Sequence, residues 1–197
     1  MARTVDPARH EARRLQIIDA ALTCFARDGY DRATTAAICR EAGIGSGTFF
    51  HYFPTKLAVL LAMLELGTAE EQEWFAAQAG REDARGVLDD YVAHTAEEMA
   101  DVRVAGLVRA VGAVMSEPEV TGALELDTAA IRAGLLPWVR AAMEAGDVRA
   151  DLPPEQLVLW LQALLDGYLG VVVTEPGFDA ARAAETLRDA VRRLLAP

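Results

Sequence analysis

Residues 29–54 constrain the fold most. Gly29, Gly43, Gly45, Gly47 and Pro54 punctuate the chain there so closely that no long element fits between them. Two short helices do fit. Thr34 or Thr35 can cap the first, whose apolar side is Ala37, Ile38 and Ala42, and Gly43 ends it. Ile44-Gly45 leads into the second, Ser46 to Tyr52, which Phe53-Pro54 closes. Upstream, Leu15, Ile18, Leu22 and Phe25 recur at steps of three and four and predict a helix over roughly residues 8–28, stopped by Gly29. Three helices in about 45 residues, the last two short and joined by a glycine turn, make a helix-turn-helix pattern.

The rest of the chain reads as helix as well. Pro54 suits the first turn of a fourth helix with Leu57, Leu60, Leu61 and Leu64 inward. After a loop at 80–86, the spacing predicts helices over Val87–Asp101, Val104–Met115, Thr121–Ala145 (bent near Pro137), Pro154–Thr174 and Asp179–Leu195. Val171-Val172-Val173 is the one β-branched run, and it ends a longer helical pattern. The expected fold is all-α, with about nine helices.

Charge separates the two ends. The net charge is −11, yet residues 1–60 hold eight basic and six acidic side chains, whereas residues 61–197 hold eleven basic and 24 acidic ones. Such asymmetry suggests two jobs. With 52% hydrophobic and 25% charged residues the chain can build a core, which excludes a disordered polymer. Gln156–Thr174 is almost long enough to cross a bilayer, but Asp166 sits near its centre, so it reads as a packed helix with no membrane partner. The early arginines (Arg3, Arg9, Arg13, Arg14) lack the apolar run of a secretion leader, and two cysteines are too few for a disulfide scaffold. A reducing cytoplasm is the expected location.

The stretch Gly29-Tyr30 with Thr34-Thr35-Ala36-Ala37-Ile38-Cys39-Arg40-Glu41-Ala42-Gly43-Ile44-Gly45-Ser46-Gly47-Thr48-Phe49-Phe50-His51-Tyr52-Phe53-Pro54-Thr55-Lys56 resembles the DNA-binding domain of TetR-type transcriptional regulators. The likeness covers residues 10–60 closely. Beyond them it rests on helix count and on the phrases Ala145–Leu152 and Leu164-Leu165-Asp166-Gly167. Phe50 stands where the family commonly has Tyr, Gly45 where a capping Ser is usual and Cys39 where Ala is typical.

The resemblance implies a DNA-binding head at residues 1–56 and a helical effector-binding and dimerisation domain at 57–197. It also implies a homodimeric repressor, released from a pseudo-palindromic double-stranded operator by a small, largely apolar effector. The expected DNA contacts are Thr34, Thr35, Ser46, Gly47, Thr48, His51, Tyr52 and Lys56, the last at a phosphate. The alternative for Ser46 and Thr48 is a capping role, and for His51 a solvated surface histidine. Side chains expected near the effector are Trp74, Tyr91, Thr95, Met99, Leu107, Val111, Met115, Trp138 and Met143.

For the dimer interface, Leu157, Leu161, Leu164, Tyr168, Leu187 and Val191 offer apolar stripes on the last two helices. Phe25, Ile38, Phe49 and Phe53 are expected in the head's core, Cys24 and Cys39 as buried small hydrophobes, and His10 and His94 in water. There is no catalytic motif, no metal-ligand spacing and no cofactor signature, so an enzyme is not expected. An activator on the same fold, or a helical carrier of small molecules with a vestigial head, are the alternatives.

Overall fold

The computed structural model describes residues 6–197. Among them every regular element is an α-helix: α1 Pro7–Asp28, α2 Thr35–Glu41, α3 Ser46–Tyr52, α4 Lys56–Ala77, α5 Ala84–Met99, α6 Val104–Gly112, α7 Pro118–Ala145, α8 Pro154–Thr174 and α9 Ala180–Leu195. The expected element order and type hold throughout. Arg3 lies outside the described residues.

The helices start and stop for local reasons. Asp6 caps α1 by accepting from the Ala8 amide, and Pro7 sits in the first turn, where its missing N–H is not needed. Thr34 caps α2 and Asp179 caps α9, each accepting from the amide three residues on. Pro118, expected to separate two helices, instead opens α7, and Pro137 lies inside that helix. Helix α4 begins at Lys56 rather than Pro54, with the Thr55 hydroxyl accepting from Ala58 N at 3.0 Å.

Two compact units emerge, the first of residues 1–66 and 106–123, the second of residues 67–105 and 124–197. The first therefore takes in the start of α4 and most of α6 as well as α1–α3. Its interior holds Ile17, Ile18, Phe25, Ile38, Phe49, Val59 and Leu60, all buried. Leu15, expected inward on α1, is 39% exposed, and Ile17 fills the interior instead. On α4, Leu60 is buried as expected, but Val59, Ala62 and Met63 complete the buried face, and Leu57, Leu61 and Leu64 are only half-buried. Gly106 of α6 lies so near α1 that a Cβ there would stand 2.2 Å from the Ala26 Cα.

The second unit is built around one core. Leu88, Tyr91, Val92, Leu135, Val139, Leu157, Leu161, Leu187, Val191 and Leu195 are buried in it, drawn from α5, α7, α8 and α9. Helix α8 is long and apolar enough to cross a membrane by length and composition alone. Here Leu157, Val158, Leu161 and Leu165 line its buried face, which packs into this core.

Candidate DNA-binding and effector sites

The head is organised around the turn between α2 and α3. Gly43 adopts φ +61°, a left-handed conformation that an L side chain reaches only with strain. It lets the Ile44 amide reach the Cys39 carbonyl at 2.9 Å and the Gly43 amide reach that of Arg40 at 3.2 Å, satisfying the end of α2. Gln16 of α1 donates to the Ala42 carbonyl at 2.7 Å and fixes the same turn from behind. Helix α3 then starts on Gly45 without a side-chain cap. Phe49 of α3 is fully buried, with Phe53 6.3 Å away between ring centres, and this anchors the helix through one face.

The opposite face is the candidate DNA-reading surface. Ser46, Gly47 and His51 are exposed, and Thr48 and Tyr52 are half-buried beside them. Thr34 is exposed at the start of α2 and Thr35 half-buried. Thr34 caps α2 through its hydroxyl and is open to solvent. Phe50 projects outward, 54% exposed, without the hydroxyl that a tyrosine would bring. His10, expected in water, instead packs 4.5 Å from the Tyr52 ring.

Lys56, an expected phosphate contact, has partners inside the head. Its ammonium donates to the carbonyls of Tyr30 at 2.5 Å and Ala33 at 3.0 Å and lies 4.0 Å from the centre of the Tyr30 ring. Burial lowers its pKa from the usual lysine value. Two of its three donors are thus committed inside the head. Lys56 ties the start of α4 to the loop between α1 and α2 rather than reaching outward for a phosphate.

In the second unit, Tyr91 lies against Trp74 and beside Thr95. Trp74 lies 5.3 Å from Tyr91 and 5.1 Å from Phe75, and Phe75 stacks on Tyr91 at 4.9 Å. Met99, Trp138 and Met143 pack against the same core. Leu107, Val111 and Met115 belong to the first unit, where Val111 is buried and Met115 is 48% exposed. His94, expected in water, stacks on Trp74 with planes 12° apart.

Glu71 joins this group although the sequence reading did not single it out. Within Glu70-Glu71-Gln72-Glu73 it looks like one more solvated carboxylate. The available signal was its spacing, one turn before Trp74 and Phe75 on the same helix. Burial first, then the Glu98 and Asp127 carboxylates, push its pKa up to about 7, and only the Tyr91 hydroxyl acts the other way.

Four of the expected dimer residues are internal to a single chain. Leu157, Leu161, Leu187 and Val191 are buried in the second unit's own core, because that core is large enough to absorb both stripes. Leu164 is half-buried against it, and the Tyr168 hydroxyl donates to the Ala180 carbonyl within the same unit. The exposed face of α8 carries a different set: Leu159 at 47%, Trp160 at 53% and Val171 at 37% exposure, with Ala163, Gly167 and Gly170 between them.

Comparison with known proteins agrees with this architecture. Residues 17–63 match the family described as "Bacterial regulatory proteins, tetR family", and residues 80–196 match "BetI-type transcriptional repressor, C-terminal". The chain is 32% identical over 185 residues to the HTH-type transcriptional repressor Rv1474c of Mycobacterium tuberculosis, covering 92% of this chain and 94% of that protein. Among solved structures, Salmonella enterica GusR superposes with a TM-score of 0.72 at 25% identity, covering 98% of each chain. A SmeT–triclosan complex superposes at 0.78 with 22% identity, covering 94% of this chain and 92% of that one. The chain belongs to the TetR family of bacterial transcriptional regulators.

Proposed function

We propose that this ligand-responsive transcriptional repressor reads a pseudo-palindromic duplex as a homodimer, through the exposed face of α3. The carrying observation is that Ser46, Gly47 and His51 are exposed and Thr48 is half-buried on a helix anchored by the fully buried Phe49. A recognition helix needs this combination, rigid behind and polar in front, to discriminate base edges. Thr34, Thr35 and Tyr52 flank it and position the phosphate backbone. Two heads related by two-fold symmetry would meet half-sites about 10 bp apart or a near multiple. Residues 1–56 would form the reading head and residues 57–197 the responding domain.

The outer face of α8 supplies the second copy's contact. Leu159, Trp160 and Val171 are large apolar side chains left in solvent by a single chain, and the small residues between them allow close helix approach. The effector site falls around Trp74, Tyr91 and Thr95, and SmeT, a protein of the same fold, has been seen with triclosan. The protein acts by binding, in the cytoplasm, and not by catalysis.

Selecting bound duplexes from a random pool at about 150 mM salt, where non-specific phosphate attraction is much reduced, tests the reading. Enrichment of a two-fold symmetric site is the expected result. A folded, dimeric, ligand-free protein that enriches nothing would overturn it.

A further inference from the structure

The interior of the second unit contains a polar imbalance that the effector reading does not account for. Glu71 Oε2 and Thr95 Oγ1 are both buried without a hydrogen-bond partner. Thr95 is 7% exposed, and its hydroxyl lies close enough to that of Tyr91 for the two to interact. The Tyr91 hydroxyl also neighbours the Glu71 carboxyl, so the two side chains with orphaned oxygens meet around the end of that ring. Orphaned buried polar atoms are rare in native proteins and costly.

The charges there are one-sided. The charged groups acting on Glu71 are the Glu98 and Asp127 carboxylates, and no ammonium or guanidinium is among them. Asp127 already accepts from the Thr68 hydroxyl at 2.8 Å, and Glu98 lies 3.4 Å from His94 Nε2. Of the three carboxylates, Glu71 is the one with a buried oxygen that has no partner. Around it the Trp74, Phe75 and Tyr91 rings provide the electron-rich walls that favour a cation.

We propose that this cluster takes the protonated amine of an organic ligand, its N–H groups donating to Glu71 Oε2 and Thr95 Oγ1 beside the Tyr91 and Trp74 rings. An ammonium bearing N–H groups satisfies both orphaned acceptors at once and neutralises the surplus carboxylate. A neutral apolar ligand does neither. The inference rests on the second unit being the effector domain, and it replaces a purely apolar effector with an amine on an apolar body.

The test uses the full-length dimer and three primary amines with different bodies, n-hexylamine, phenethylamine and tryptamine, each paired with its alcohol (n-hexanol, 2-phenylethanol, tryptophol). Calorimetry is expected to show at least one amine binding about tenfold or more tighter than its alcohol. Glu71→Gln and Thr95→Val should each reduce that amine's affinity while leaving helix content unchanged. Affinity should also rise between pH 6 and 8 as Glu71 ionises under Tyr91, Thr95, Glu98, Asp127 and the more distant Glu70–His94 pair acting on Glu98.

The proposal is overturned if no amine outbinds its alcohol, or if both variants bind the amine as tightly as the parent. Operator release, measured in parallel, separates the two levels. An amine that binds by these criteria without releasing DNA sustains the site and removes the effector reading. Alcohols that bind equally and release DNA sustain the effector reading and remove the amine.

Discussion

At the scale of single residues, Lys56 and Glu71 show how far a side chain's role depends on where it points. Lys56, the chain's lone lysine, sits at a position suited to a phosphate, yet its ammonium is held by two carbonyls and a ring. Lys56→Met should therefore act on stability. It leaves the Tyr30 and Ala33 carbonyls without their donor, at a cost of about 1–3 kcal/mol, and thermal unfolding should show the loss. The slope of operator affinity against log salt should stay unchanged. A slope reduced by about one would instead return Lys56 to the phosphate contacts.

Glu71 gives the matching pH prediction. Its carboxyl is raised from the ordinary 4.5 to about 7, so between those values the folded chain holds a proton that the unfolded chain has released. Stability contributed by the protonated carboxyl is lost as pH rises through that window. Glu71→Gln removes the loss. The variant should match the parent at pH 4.5 and exceed it at pH 8 by about 1–2 kcal/mol, a figure reduced for the solvent the carboxyl keeps. Melting temperatures across pH check this, and a pH-independent difference would contradict it.

At the scale of elements, much was legible because helix ends are written in residue types. Ser46–Tyr52 and Pro154–Thr174 are bounded as their punctuation predicts, and Thr34, Asp179 and Gly43 act as the cap and stop signals they resemble. Inner faces were harder. On α1 a three-and-four spacing through Leu15 and Ile18 competes with one through Ile17, and only packing decides between registers. Close approaches were invisible, since nothing local marks Gly106 as the point where α6 meets the Ala26 backbone. Gly106→Ala places its Cβ against backbone that cannot step aside. It should force α6 off α1 and lower the first unit's stability by about 1–3 kcal/mol, read by thermal melting. Gly112→Ala, with open space around its Cβ, is the control and should be neutral or slightly stabilising.

At the scale of the whole molecule, the unread information concerns which apolar surface faces a partner. Helix α8 is apolar almost all round, so periodicity could not separate its inner stripe from its outer one. The inner stripe of Leu157, Leu161 and Leu165 belongs to the chain's own core, which leaves Leu159, Trp160 and Val171 exposed and, on the proposed reading, facing a second copy. The two assignments predict opposite phenotypes. Trp160→Glu alters a side chain that one chain leaves 53% exposed, so each chain should keep its helix content. In a dimer interface it introduces a buried, unpaired charge, and sedimentation should show monomers. Operator affinity should fall with it, because one head then holds only one half-site and the gain from linking two is lost. Leu161→Ala should do the reverse. It opens a cavity in a fully buried position, costs about 2–5 kcal/mol of stability and leaves the surviving folded protein dimeric and able to bind DNA. If Leu161→Ala gave stable monomers while Trp160→Glu remained dimeric, the interface would lie on another face.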